Sequence, residues 1–245
     1  MHKETTVEQG MSAIQRIPTG IPIFDSLIEG GFPTDSMVLV VGHPGAGKST
    51  LAGQFVYNVA VKLGLKSVYV CFAETKGTFF SNMLRFEWDF ERLERERRVA
   101  VLDLAVTREA GIQTNLNSIM ETMSNFKASI LVIDSFTAIS MALKEYIDSR
   151  VMIHLFYRFL KKSNCMSLFI IDQPWGSTTI GEKVAEFMAD GILHLETYFD
   201  EDGMLRRHFN IIKMRGTNHS KNTYEYDISK KGFSLLGLTK SKRVE

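Results

Sequence analysis

Two cysteines in 245 residues are too few to staple a fold. Cys71 and Cys165 stand in apolar surroundings, which suits two buried thiols in a reducing compartment better than a disulfide. Neither sign of charge predominates: 29 Lys and Arg face 28 Asp and Glu, for a formal net charge of +1. That balance removes any global electrostatic case for nucleic-acid or membrane binding. No uninterrupted apolar run approaches the roughly 20 residues of a membrane helix. The first ten residues are polar and lack the apolar centre of a secretory signal. A cytoplasmic protein is expected. The interior has no Pro/Ser/Gly-rich linker and no internal repeat of useful length. The expected organisation is a single domain over residues 11–237, between an N-terminal tail (1–10) and a C-terminal tail (238–245).

What is present alternates. Short apolar, strand-like runs occupy residues 37–41, 67–73, 99–106, 130–134 and 167–172. Each of the first four leads into a helix-compatible segment. The clearest is 146–162, where Ile147, Val151, Leu155 and Phe159 recur at helical spacing. Apolar strands joined by helices predict a largely parallel central sheet flanked by helices. The end of the chain differs. Residues 191–199 and 204–215 read as strands around Asp200, Glu201, Asp202 and Gly203, a hairpin signal. Residues 224–229 and 233–236 add two short strands. The fold class is therefore α/β, with antiparallel strands at the C-terminal end.

Between the first strand and the next helix lie Gly42, His43, Pro44, Gly45, Ala46, Gly47, Lys48, Ser49 and Thr50. They match the phosphate-binding pattern G-x-x-x-x-G-K-[ST]. Glycines let successive backbone N–H groups turn inward onto phosphate oxygens. Lys48 reaches the outer phosphates, and the Ser49 hydroxyl can ligate the Mg²⁺ that accompanies them. The following segment has Leu51, Phe55, Val59 and Lys62 at helical spacing, so the loop opens onto a helix N-terminus with its positive dipole end.

Hydrolysis needs more than this loop. Asp134 ends an apolar strand, where a carboxylate can stand beside Mg²⁺; the plainer reading is a cap on the next turn. Glu74 falls where another parallel strand emerges at the carboxyl edge, the ligand-binding edge of such sheets. It can orient and deprotonate water, or simply begin a helix, where Glu is common. Gln173 ends a further strand and can sense a terminal phosphate, while Asp172 beside it reads as a cap. Lys213 and Arg215, two apart on a strand, suit a phosphate clamp or an arginine finger; an exposed basic strand face is the alternative. No base-reading motif stands out. Tyr57, Phe72 and Trp88 read as core or interface residues.

Taken together, these motifs resemble the RecA superfamily and, within it, the KaiC-like ATPases of archaea and bacteria. The resemblance spans roughly residues 14–236. It rests on Thr19, Gly20 and Asp25 with Gly30 and Gly31, on the phosphate loop, and on Glu74 with Thr75. It rests also on residues 130–135, Gln173, and Lys213, Arg215, Gly216, Thr217, His219 and Lys221. The resemblance implies a RecA-like fold, ATP with Mg²⁺ as ligands, and Glu74 as catalytic glutamate. It implies a ring-shaped homo-oligomer, usually a hexamer, in which Lys213, Arg215, His219 and Lys221 reach a neighbour's nucleotide. Two departures are informative. Family members often carry paired glutamates, whereas Ala73 precedes Glu74. Clock members phosphorylate a Ser-Thr pair, and Glu186 and Phe187 stand at those positions, so neither a clock protein nor a self-kinase is expected. Thr178 and Thr179 are nearby hydroxyls supported by proximity alone.

Three functions follow. The first is a Mg²⁺-dependent ATPase ring. The second is an ATP-sensing scaffold with little hydrolysis that docks onto a protein client. The third, weakly supported, is a RecA-like DNA recombination or repair factor. Residues 174–186 hold Lys183 beside Glu182 and Glu186, with Trp175 as the sole aromatic, which is no basic, aromatic-rich groove. The run 91–98, mixed in sign, reads as a solvated helix face.

Overall fold

The computed structural model describes residues 14–104, 109–143, 149–177, 180 and 183–239. The expected tails therefore lie largely outside the described residues. So do Thr178, Thr179, Glu182 and Val106, together with 146–148 at the start of the expected helix.

A short antiparallel pair, β1 (Arg16–Ile17) and β2 (Phe32–Pro33), brackets helix α1 (Pro22–Leu27). The Asp25 carboxylate accepts from Thr19 N (2.6 Å) and Gly20 N (3.1 Å), tying that helix to the segment before it. A side chain on Gly31, at φ +145, would run into the Ile17 carbonyl. These contacts explain Thr19, Gly20, Asp25 and Gly31 as packing of the entry segment, while a side chain on Gly30 would meet open space and that glycine is set by its φ of +98.

Then β3 (Met37–Gly42) leads to α2 (Lys48–Asn58), which continues as one π-helical turn, Val59–Leu63. Next come β4 (Ser67–Cys71), α3 (Lys76–Leu84), α4 (Phe90–Arg95) and β5 (Val99–Asp103). They are followed by α5 (Glu109–Phe126), β6 (Ile130–Asp134), α6 (Phe136–Leu143), α7 (Ser149–Lys162) and β7 (Met166–Asp172). Last come α8 (Lys183–Met188), β8 (Gly191–Phe199), β9 (Leu205–Met214), β10 (Tyr224–Ser229) and β11 (Gly232–Leu238).

The described strands from β3 onward form one nine-stranded sheet, ordered β11-β10-β9-β8-β3-β7-β6-β4-β5. From β8 to β5 neighbouring strands are parallel; from β8 outward through β9, β10 and β11 they are antiparallel. This is the expected α/β architecture.

Alternation along the strands sorts side chains into two cores. Val38, Val40, Tyr69, Val132, Leu168 and Leu193 face one way, with Phe24 of α1 and Leu51 and Phe55 of α2. Leu39, Val41, Val70, Leu131, Ile133 and Phe169 face the other way, with Leu116 and Ile119 of α5. Trp88 belongs to the first core, flanked by Phe86 and Tyr57, and Phe72 packs against the second. Among the described residues no helix is long and apolar enough to cross a membrane.

The charged run 91–98 departs from its helical reading. Helix α4 stops at Arg95, and Arg97 sits at φ +56. Leu93 is fully buried and anchors the turn, and the chain must reverse at once to enter β5. One i,i+4 pair survives, Arg92 with Glu96 at 3.6 Å; Arg98 pairs with Glu96 from outside the helix at 3.2 Å.

Candidate functional site

The candidate site lies at the carboxyl edge of the parallel strands, where the loop leaves β3 and where β4 and β6 end. Gly42 closes β3 with no room for a side chain, because one would strike the Leu195 carbonyl of β8. The loop then turns through Gly45 (φ +83) and Gly47 (φ +87), backbone conformations that favour glycine. A side chain at Gly45 would meet open space, whereas one at Gly47 would strike Ile228 of β10. Gly47 is the N-cap of α2, so the loop delivers its backbone to a helix N-terminus. Pro44 and Gly45 are exposed, Ala46 is buried, and the Ala46 carbonyl accepts from the Tyr226 hydroxyl at 2.7 Å.

Lys48 is 6% exposed. Its ammonium donates to Gly42 O (2.8 Å) and His43 O (3.0 Å), and it pairs with Asp172 Oδ1 at 3.1 Å. Asp172 is therefore an ion partner of the loop lysine and not merely a turn cap. Ser49 shares a cleft with Asp134, which ends β6 and is 8% exposed. The Asp134–Ser135 peptide is cis. Burial raises the Asp134 carboxyl above its ordinary range, against the pull of the Ser49 and Tyr69 hydroxyls.

Glu74 lies past the end of β4, one residue before Thr75, the N-cap of α3. It does not cap that helix; the Thr75 hydroxyl accepts from Thr78 N instead. The Glu74 carboxylate accepts from Asn82 Nδ2 at 2.9 Å. Partial burial, then the nearby Asp134 charge, push its carboxyl upward, while the Asn82 bond pulls it down. Glu74, Asp134, Ser49, Thr50, Asn82 and Arg85 line one cleft of about 380 Å³. Phosphate loop and both carboxylates thus meet at one edge.

Gln173 adjoins the loop through its N–H to Gly42 O (3.0 Å). Its side chain donates to Ser177 O (3.0 Å) and accepts from His194 Nε2 (2.9 Å). Burial lowers the pKa of His194, favouring the neutral ring that this bond uses. The His43 ring stacks on Trp175 (centroids 4.6 Å apart, 7° between planes), and its Nδ1 lies 3.2 Å from Thr197 Oγ1.

The second basic group does not join this site within the chain. Lys213 pairs in register with Ile192, and β8 meets β3 with Ile192 beside Leu39. Arg215, just past β9, hydrogen-bonds through its N–H to Asp190 O, and Asp190 N reaches Met37 O. The Lys213 level falls at Leu39, three residues short of Gly42, and the Arg215 level at Met37, five short, about 10 and 16 Å from the loop at the usual rise. Lys213 Nζ donates to Glu186 O (3.1 Å), and Arg215 donates to Phe187 O (3.0 Å) and pairs with Asp190 Oδ1 (3.7 Å). His219 Nδ1 donates to Ser220 O (2.9 Å). Lys221 lines a separate polar depression with Glu196, His208, Asn210 and Thr223.

Sequence reading gave Asp172 only as a cap and passed over Tyr69, Asn82, His194 and Tyr226. Tyr69, His194 and Tyr226 pair with partners that only the assembled sheet brings near. Asn82 meets Glu74 across the turn into α3, which sequence alone does not place.

A model of the family described as ATPase: KaiC matches residues 17–240. A UPF0273 protein of Pyrococcus furiosus is 31% identical over 235 residues, covering 89% of this chain and 93% of that one. The circadian clock oscillator protein KaiC of a Picosynechococcus strain is 29% identical over 226 residues; the match covers 91% of this chain but only 43% of that protein. The crystal structure of a KaiC-like protein from the archaeon Pyrococcus horikoshii OT3 superposes with a TM-score of 0.82 at 31% identity, covering 91% of this chain and 99% of that one. With its phosphate loop, its sheet order and this match over nearly the whole described chain, the protein belongs to the KaiC family of RecA-superfamily P-loop ATPases.

Proposed function

We propose that the chain is a Mg²⁺-dependent ATPase that works as a ring-shaped homo-oligomer of RecA-like domains, each spanning residues 11–237. The observation that carries the reading is the shared cleft, lined by Ser49, Asp134 and Glu74 together. The donor set fits the ligands. The glycine loop offers backbone N–H groups to phosphates, and Lys48, now on loop carbonyls and Asp172, can exchange them for phosphate oxygens. Mg²⁺ takes few protein ligands and keeps phosphates and waters as the rest, so one hydroxyl and one carboxylate suffice. Bound there, it would neutralise charge on the phosphates. Glu74 orients the attacking water and takes its proton.

Lys213 and Arg215 are assigned to the neighbouring subunit's nucleotide, with His219 and Lys221 in the same segment. Their place toward the opposite edge of the sheet supports action in trans, since about 10–16 Å of strand separates them from the loop of their own chain. A hexamer and a cytoplasmic setting belong to the same proposal, as does a protein client yet to be named.

Glu74→Gln tests the chemistry. ATP binding should persist, measured with a fluorescent analogue, while phosphate release falls to background. Wild-type turnover in that variant removes Glu74 as the base. If wild-type protein binds ATP tightly but releases no phosphate, with or without candidate clients, the ATP-sensing scaffold becomes the better reading.

A further inference from the structure

Each carboxylate of the cleft is held by a side chain with no role in the scheme above. Tyr69 lies in the middle of β4 and is fully buried. Strands β4 and β6 pair with Cys71 beside Asp134, so Tyr69 stands two residues below the cleft floor, and its hydroxyl donates to Asp134 Oδ2 at 2.7 Å. A hydroxyl sunk in an apolar core costs stability unless it is bonded, and here the Asp134 carboxylate is its partner. The Tyr69 ring rests on Phe79 of α3, with centroids 4.3 Å apart. One turn further along α3, Asn82 donates to Glu74 Oε2. A single helix therefore braces both acids.

We propose that Tyr69 and Asn82 are positioning residues with separate tasks. Tyr69 fixes the Asp134 carboxylate that, with Ser49, receives Mg²⁺. Asn82 fixes the Glu74 carboxylate against the attacking water. Glu74 follows a strand end on a long, rotatable side chain, and one hydrogen bond removes much of its freedom before reaction. Asp134 has the opposite need: short and buried beside Ser49, it requires a donor from below to keep its orientation when metal draws on it from the loop side. The inference rests on the roles proposed above for Asp134 and Glu74.

Two variants and two readouts test it. Tyr69→Phe keeps the ring and removes the hydroxyl. The Mg²⁺ concentration giving half-maximal binding of a fluorescent ATP analogue should rise about tenfold, with metal-free analogue binding little changed. Turnover at saturating Mg²⁺ should fall by less than that affinity. Asn82→Ala should leave the Mg²⁺ titration in place and lower kcat by roughly ten- to a hundredfold at similar KM. In an Asp134→Asn background, Tyr69→Phe should move the Mg²⁺ midpoint no further, because no carboxylate remains to be placed. Loss in the same parameter for both variants, or in neither, overturns the proposal. So does a Tyr69→Phe effect undiminished in the Asp134→Asn background. Asn82 is exposed, so its variant decides the matter even if Tyr69→Phe fails to fold. Asp134→Asn and Glu74→Gln separate the two levels: if they change neither Mg²⁺ dependence nor turnover, the underlying reading has failed. If they do and the positioning variants do not, only the present assignment has.

Discussion

Lys48 spends its charge on its own loop. Two carbonyls and Asp172 hold an ammonium that is nearly out of water. Phosphate oxygens are stronger acceptors than these carbonyls, so the exchange costs little and no large side-chain movement is needed. Lys48→Ala should weaken ATP binding by about a hundredfold, since a charge-assisted contact in a buried site is lost; isothermal titration checks it. Glu74 sets the pH dependence. Burial, then Asp134, raise its carboxyl above the ordinary 4.5. Only the ionised form accepts a proton, so turnover should rise with pH through that raised value. The acid limb of the kcat profile should lie above the ordinary carboxylate range. For stability the sign is opposite. The folded chain binds this proton more tightly than the unfolded one, so that contribution is present at low pH and lost as pH rises through the raised pKa.

At the level of elements, most of the core was legible and most of the cross-links were not. Strands β3, β6 and β7 are buried on both faces and announce themselves as short apolar runs. The hairpin of β8 and β9 was visible from Asp200 to Gly203, because the turn needs a glycine at positive φ. The loop at 42–50 and the strand-end positions of Glu74 and Asp134 were equally plain. Tyr69 was hidden because an apolar strand does not reveal which tyrosine has a buried partner 65 positions away. The early stop of α4 was hidden because charge pairing favours a longer helix, and burial of Leu93 outweighs it. Asp190 shows the same limit. It accepts from Met37 N (2.9 Å) and pairs with Lys161 at 2.8 Å, joining the starts of β3 and β8 to the end of α7. Its side chain is 12% exposed. Asp190→Ala should therefore cost about 1–3 kcal/mol, because the buried Met37 donor loses its partner while Lys161 keeps Asp35. Thermal and urea melts give the value; a loss under about 0.5 kcal/mol would make the contact peripheral.

At the scale of the whole molecule, two basic side chains bear on assembly. Lys213 and Arg215 sit level with Leu39 and Met37 of β3, short of its loop end, and are fastened to the C-terminal carbonyls of α8. Their residue types pair them with a phosphate and the family resemblance implies a neighbour's; register adds only their distance from their own loop. If a neighbour's nucleotide is their target, every site is shared, and activity belongs to the interface. Turnover per subunit should then rise with protein concentration as rings form. The most direct test mixes two inactive proteins. Glu74→Gln lacks the base but keeps Arg215; Arg215→Ala keeps the base but lacks the arginine. Neither should turn over ATP alone. Co-assembled at equal concentration, they should regain about a quarter of wild-type phosphate release, the share of interfaces that pair an intact base with an intact neighbouring arginine in a closed ring. A mixed assembly, verified by light scattering, that is no more active than its two parents would contradict the shared site.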